Sequence, residues 1–175
     1  MKFLRYILWG ALFIYIIILF LPKENFYFFI EHKLNEYKIV LGNETLSESF
    51  GIFNINDAHV LYYGDEAAKI DKIRVMPFIL YNEIKFENIQ IAKKFQNFAP
   101  SGIESVKAAF TPFYPIKLRL SLNGEFGEIS GSYNMYGKKI YLVLKPHESF
   151  RQKYPGIYRE FKDVDGELVY ESSFK

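Results

Sequence analysis

Residues 116 to 144, IKLRLSLNGEFGEISGSYNMYGKKIYLVL, decide the fold of this chain. Ile116, Leu118, Leu120 and Leu122 alternate with Lys117, Arg119 and Ser121, and a period of two puts every second side chain on the same side of a β-strand. The large apolar groups therefore share one face and the polar groups the other. Asn123-Gly124 is a strong short hairpin signal. Beyond it, Phe126 to Met135 predicts the returning strand. Ile129, Tyr133 and Met135 lie on one of its faces, and Gly127 and Gly131 leave part of that face without side chains. Tyr136-Gly137 turns the chain again, and Ile140, Leu142 and Leu144 predict a third strand that closes at Pro146.

The strand habit extends upstream with one irregularity. Ile55 to Val60 (INDAHV), Ile70 to Val75 (IDKIRV) and Phe86 to Ile91 (FENIQI) each read apolar, two polar, apolar, polar, apolar, at offsets of 15 and 16 residues. Strict alternation has no room for the second polar residue, which predicts a β-bulge in each unit and a curved antiparallel meander. Tyr63 to Glu66 and Tyr81 to Glu83 read as turns, and Met76 to Leu80 reads as a separate apolar segment. Ile103 to Phe110 predicts one more strand. Downstream, His147 to Asp163 carries Phe150, Tyr154, Ile157 or Tyr158, and Phe161 at helical spacing, with Pro155-Gly156 dividing the helix in two. Asp163 to Gly166 reads as a turn and Glu167 to Phe174 as a last short strand.

At the other end, Tyr6 to Leu21 (YILWGALFIYIIILFL) runs without a charge between Arg5 and Lys23. About 20 apolar residues cross a bilayer as a helix. Eleven side chains of this stretch are Ile, Leu or Phe, enough to outweigh Gly10 and the two tyrosines. Phe20 to Glu24 offers no small-residue cleavage site, so an uncleaved anchor is expected rather than a signal peptide. Lys2 and Arg5 precede the run, which predicts a cytoplasmic N-terminus and a C-terminal domain across the membrane. In a bacterium that is a single-pass protein of the inner membrane facing the periplasm. Lys23 to Tyr37 then places Phe26, Phe29/Ile30, Leu34 and Tyr37 at spacings of three and four, an amphipathic helix. The organisation read from the chain is residues 1–22 as cytoplasmic tip and transmembrane anchor, 23–36 as amphipathic helix, and 37–175 as a β-rich domain. The fold class is α+β, dominated by the curved antiparallel β-meander and capped by one or two helices.

Composition narrows the function. Twenty-two Lys and Arg against 20 Asp and Glu, with no basic block, give no electrostatic footprint for nucleic acid. The absence of cysteine excludes disulfides, thiolate metal sites and thiol nucleophiles. His32, His59 and His147 stand far apart with no second ligand at metal spacing. Ser47, Ser49, Ser101 and Ser130 sit in no nucleophile-elbow context, and Gly124, Gly127 and Gly131 belong to a hairpin rather than a phosphate loop. Asp57, Asp71 and Glu87 read as exposed polar residues of bulged strands. No catalytic residue, metal or cofactor is expected, and the chain reads as non-enzymatic.

The order of apolar anchor, Leu21-Pro22, amphipathic helix and bulged strands resembles the N-terminal region of AsmA-like proteins and of type II secretion system protein N. Pro115 to Leu144, with Pro-Ile-Lys-Leu leading to Gly-Glu-Phe-Gly-Glu-Ile-Ser-Gly, is similar to the glycine-spaced strands of the latter. The resemblance implies a periplasmic β-rich envelope protein associated with secretion machinery or with lipid movement. Two functions are therefore expected at this point. One is a non-enzymatic component of an envelope assembly, offering a sheet edge to a protein partner. The other is a lipid-binding module whose concave sheet face, Ile116, Leu118, Leu120, Leu122, Ile129, Tyr133, Ile140, Leu142 and Leu144, cradles acyl chains. The bland alternative is that helices cover this face as an ordinary core. A periplasmic enzyme remains a third class, which a pocket joining His59 to two carboxylates would revive.

Overall fold

A computed structural model of the chain describes residues 24–49, 52–78, 81–96, 99–114 and 116–174, with Arg5, Tyr6, Leu8 to Gly10, Leu12, Phe13 and Ile16. Those N-terminal residues are helical, and the large apolar side chains among them are exposed. The rest of the predicted anchor lies outside the described residues. Among the described residues no helix is long and apolar enough to cross a membrane.

The described elements are helix α1 (Glu24–Glu36), strands β1 (Ile39–Gly42), β2 (Thr45–Ser49), β3 (Ile52–Tyr62), β4 (Asp65–Pro77), β5 (Asn82–Ile91), β6 (Gly102–Phe110), β7 (Lys117–Gly124), β8 (Gly127–Asn134) and β9 (Lys139–Pro146), short helices α2 (Phe150–Lys153) and α3 (Pro155–Tyr158), and strands β10 (Lys162–Val164) and β11 (Glu167–Ser173). The strands form one 11-stranded sheet in the order β1-β3-β4-β5-β6-β7-β8-β9-β11-β10, with β2 beside β1 on the outer edge of β3. Every pairing is antiparallel. From β3 to β9 each strand pairs with the next in sequence, so the sheet is a meander built from local hairpins.

The repeated extra polar residue has a different structural meaning from the predicted bulge. Asp57 lies between the pairs Asn56↔Lys72 and Ala58↔Ile70, opposite Asp71, and Asp71 in turn lies opposite Asn88. Because the inserted residues face one another, the register on either side of them is unchanged. A bulge is a mismatch between partners, and here the partners carry the same insertion. Asp57 and Asn88 take left-handed backbone, φ 57° and 54°, conformations that Asn and Asp tolerate. The insertion shifts the phase of alternation, so that Phe53 and Ile55 before it and Ala58 after it are all buried in one cluster. The next strand, β6, carries Glu104 at this row, and there the register with β7 does shift, between Ile103 and Ser105. A second shift lies between Val60 and Leu61 of β3.

Two clusters close the ends of one sheet face. At the N-terminal end Tyr27 of α1 packs with Phe53, Ile55, Ala58, Ile70 and Ile73, and its hydroxyl donates to Glu44 Oε1 at 2.6 Å. Burial, reinforced by that carboxylate, pushes the Tyr27 phenol well above its ordinary pKa. The amphipathic stripe expected on this helix missed Tyr27, while Tyr37, which it included, is exposed. At the other end Phe126, Leu144, Phe150 and Tyr154 are buried together, with Leu122, Ile129, Ile157, Phe161 and Leu168 against them. Glu125 Oε2 accepts hydrogen bonds from Lys153, Tyr154 and Ser101 and ties α2 to the β7–β8 turn.

Several sequence expectations shift in detail. Asn123-Gly124 is not the hairpin turn: both residues stay paired, with Glu128 and Gly127, and Glu125-Phe126 makes the connection. Phe126 is 2 % exposed, and its burial against Phe150 draws the turn two residues onward, where Gly127 takes φ 111°. Asn82 and Glu83 open β5 rather than a turn, Tyr81 closing the connection before them, and β4 runs on through Met76 and Pro77. The predicted helix from His147 to Asp163 ends at Tyr158, and Lys162–Val164 instead pairs with Glu167–Val169 as β10. Pro155 divides the helix as expected, at the first position of α3. β2, Thr-Leu-Ser-Glu-Ser, has one large apolar residue and carries no strand signal of its own.

Candidate functional site on the two faces of the central strands

The nine residues expected to form a groove fall into three groups. Cross-strand register builds two apolar rows that continue across the sheet: Val106–Leu122–Ile129–Leu144–Leu168 and Ala108–Leu120–Gly131–Leu142–Tyr170. A third row joins Leu118, Tyr133 and Ile140. Leu122, Ile129 and Leu144 belong to the C-terminal cluster and are core. Leu118, Leu120, Tyr133, Ile140 and Leu142 are half-buried and belong to neither cluster. Ile116 precedes β7 and is 51 % exposed, its carbonyl accepting from the Met135 amide at 2.8 Å.

The result is an apolar strip across β6 to β9, about 14 Å wide at about 4.8 Å per strand, between two helix-covered ends. Gly131 lies at its middle. A Cβ there would fall on the Tyr141 carbonyl, so the strand can approach its neighbour only as glycine, and the strip is lowest at this point.

The opposite face is polar and holds a pocket of about 640 Å³ lined by Tyr81, Lys107, Thr111, Lys117, Arg119 and Ser121 among others. At its wall Glu83, 7 % exposed, accepts hydrogen bonds from Tyr81 and, at 2.5 Å, from Lys107. Burial pushes the Glu83 carboxyl upward. Hydrogen bonds from Lys107 and Tyr81, with the Lys107 and Lys85 charges, outweigh that and hold it below the usual carboxylate range. Lys107 is raised in return, chiefly by its bond to Glu83, and Tyr81 is raised by its own bond to Glu83. One row on, Lys85 pairs with Glu87 at 2.7 Å. None of this was legible locally, because Glu83 and Lys107 lie on different strands and meet only through the β5–β6 register, Glu83↔Ala109 and Lys85↔Lys107.

The Glu83 linkage has a definite sign. A carboxyl lowered in the folded state contributes stability that is present above its unfolded pKa and lost as pH falls through the folded value. Lys107→Met leaves the buried carboxylate with Tyr81 and the distant Lys85 charge. It should cost about 2 kcal/mol at pH 7, a figure kept below that of a fully buried pair because the Lys107 side chain is 41 % exposed. The deficit against the native chain should shrink as pH falls below the ordinary glutamate range and through the lowered folded value, beneath which the carboxyl is neutral in both states. Urea unfolding at several pH values measures it; a deficit that does not vary with pH removes Glu83 as the cause.

His59 Nδ1 stands 3.1 Å from Glu66 Oε1 at the β3–β4 turn, away from this pocket. Among the described residues no three His, Cys, Asp or Glu side chains are grouped to hold a metal ion. No protein-family model, curated protein or solved structure matches the chain.

Proposed function

We propose that this protein is a membrane-tethered, non-enzymatic lipid-binding module of the cell envelope, with acyl chains lying on the apolar strip of β6 to β9. The observation that carries the reading is the set Leu118, Leu120, Tyr133, Ile140 and Leu142, five large side chains in register that neither helical cap reaches. A sheet buries its apolar face against another layer, and contiguous apolar surface left open marks a binding site. The glycine-lowered centre suits a flexible chain better than a second rigid layer. The apolar run Tyr6 to Leu21 would hold the sheet at the inner membrane, with the sheet in the periplasm and lipid within reach.

A second reading, a structural component of an envelope assembly, is favoured by the sheet edge. β10 covers only Glu167 to Val169 of β11, which leaves Tyr170 to Ser173 with no strand on their outer side among the described residues. Such an edge can take a strand from a partner.

One experiment separates the readings. A photo-reactive amino acid is placed in turn at Leu142, Arg119 and Ser172 of the full chain in membranes. Acyl binding predicts lipid adducts at Leu142, while Arg119 reports separately on the polar face. Protein adducts at Ser172, with no lipid adduct at Leu142, would replace the lipid reading by the assembly reading.

A further inference from the structure

We propose that the pocket on the polar face of β6 to β8 is a separate binding site for a phosphomonoester, carried either by a soluble sugar phosphate or by a lipid headgroup. Alternation puts Lys117, Arg119 and Ser121 on the side of β7 opposite Leu118, Leu120 and Leu122, so these side chains stand apart from the acyl strip, which the pocket's lining meets only at Leu120 and Gly131. The pocket, about 640 Å³, has the size of small-molecule sites. Its lining holds three cations, Lys107, Lys117 and Arg119, and no carboxylate.

Charge accounting identifies the occupant. Glu83 at the wall neutralises Lys107, and Glu87 neutralises Lys85 in the neighbouring row. Lys117 and Arg119 remain, both exposed, and neither forms a salt bridge among the described residues. They stand two apart on one strand, so their like charges face the same space. A phosphomonoester carries about −1.5 to −2 charge at neutral pH, matching this pair. Arginine offers it a planar fork and lysine a point charge. Ser121 and Ser130, directly opposite each other across β7 and β8, add two hydroxyl donors. The Glu83–Lys107 bond fixes one wall in place, so the ordering cost of binding falls mainly on Lys117 and Arg119.

The test uses the full chain in non-ionic detergent, followed by NMR through the Ser121 and Ser130 amides. The probes are inorganic phosphate, glucose 6-phosphate, phosphatidic acid dispersed in the same micelles, and glucose as the neutral control. At least one phosphate probe should shift both amides saturably while glucose does not. The double variant Lys117→Gln with Arg119→Gln should weaken that binding tenfold or more and leave the unfolding midpoint unchanged. Response to the soluble phosphates assigns a soluble ligand; response to phosphatidic acid alone assigns a headgroup. No saturable shift with any phosphate probe, or equal affinity in the double variant, overturns the proposal.

Discussion

Leu120→Asp combined with Leu142→Asp should strip lipid from the protein. The two positions flank Gly131 in one cross-strand row, so both carboxylates would enter the strip where an acyl chain lies deepest. On the membrane-insertion scale an Asp at mid-helix costs about 2.5 to 3.5 kcal/mol, and a Leu contributes about −0.5. A single exchange is thus worth about 3 kcal/mol against hydrocarbon, or more than a hundredfold in affinity. Native mass spectrometry of the purified full chain checks it: phospholipid adducts on the native protein and none on the variant. The residues are half-buried, so the sheet itself should tolerate the change, and an unaltered far-ultraviolet circular dichroism spectrum controls for folding. Lipid retained on a correctly folded double variant would locate acyl binding elsewhere and sink the reading.

Phe150→Ala should be the most damaging single substitution in the C-terminal half. Phe150 is 1 % exposed and stacks in tilted or edge geometry on Phe126, Tyr154 and Tyr158, with ring centroids 5.6 to 6.3 Å apart. Deleting a buried aromatic ring costs about 3 to 5 kcal/mol through lost burial and the cavity left behind. The upper part of that range applies here, because α2 is only one turn long and has no helix stability of its own to hold it on the sheet. Chemical denaturation followed by tyrosine and tryptophan fluorescence measures the loss. A change below about 1 kcal/mol would show that Glu125, through Lys153 and Tyr154, holds this cap without help from the ring.

Much of this architecture follows from hydrophobic period alone. The alternation of Ile116 to Leu122 and of Ile140 to Leu144 predicts β7 and β9 and the face they share, because side-chain direction in a strand depends only on parity. The same parity places Leu118, Leu120, Tyr133, Ile140 and Leu142 on one face. The units at Ile55, Ile70 and Phe86 were legible as strands with one residue too many. That the extra residues lie side by side and cancel in the register was not, since a local pattern carries no information about its partner.

What the sequence by itself determined is therefore an antiparallel sheet with one apolar face, a glycine-relieved middle, and a helical segment, divided at Pro155-Gly156, after the strand that closes at Pro146. Three matters were decided only by tertiary structure. The β7–β8 turn moved to Glu125-Phe126 because burying Phe126 against Phe150 outweighs the local preference of Asn123-Gly124. Glu83 became buried, charged and paired because strand register carried Lys107 to it from the next hairpin. The line between core and open strip, Leu122, Ile129 and Leu144 on one side and Leu118, Leu120 and Leu142 on the other, was drawn by where α2 and α3 come to rest. Strand propensity is a property of a few neighbouring residues, whereas burial depends on what packs on top, and that is set by chain segments distant in sequence.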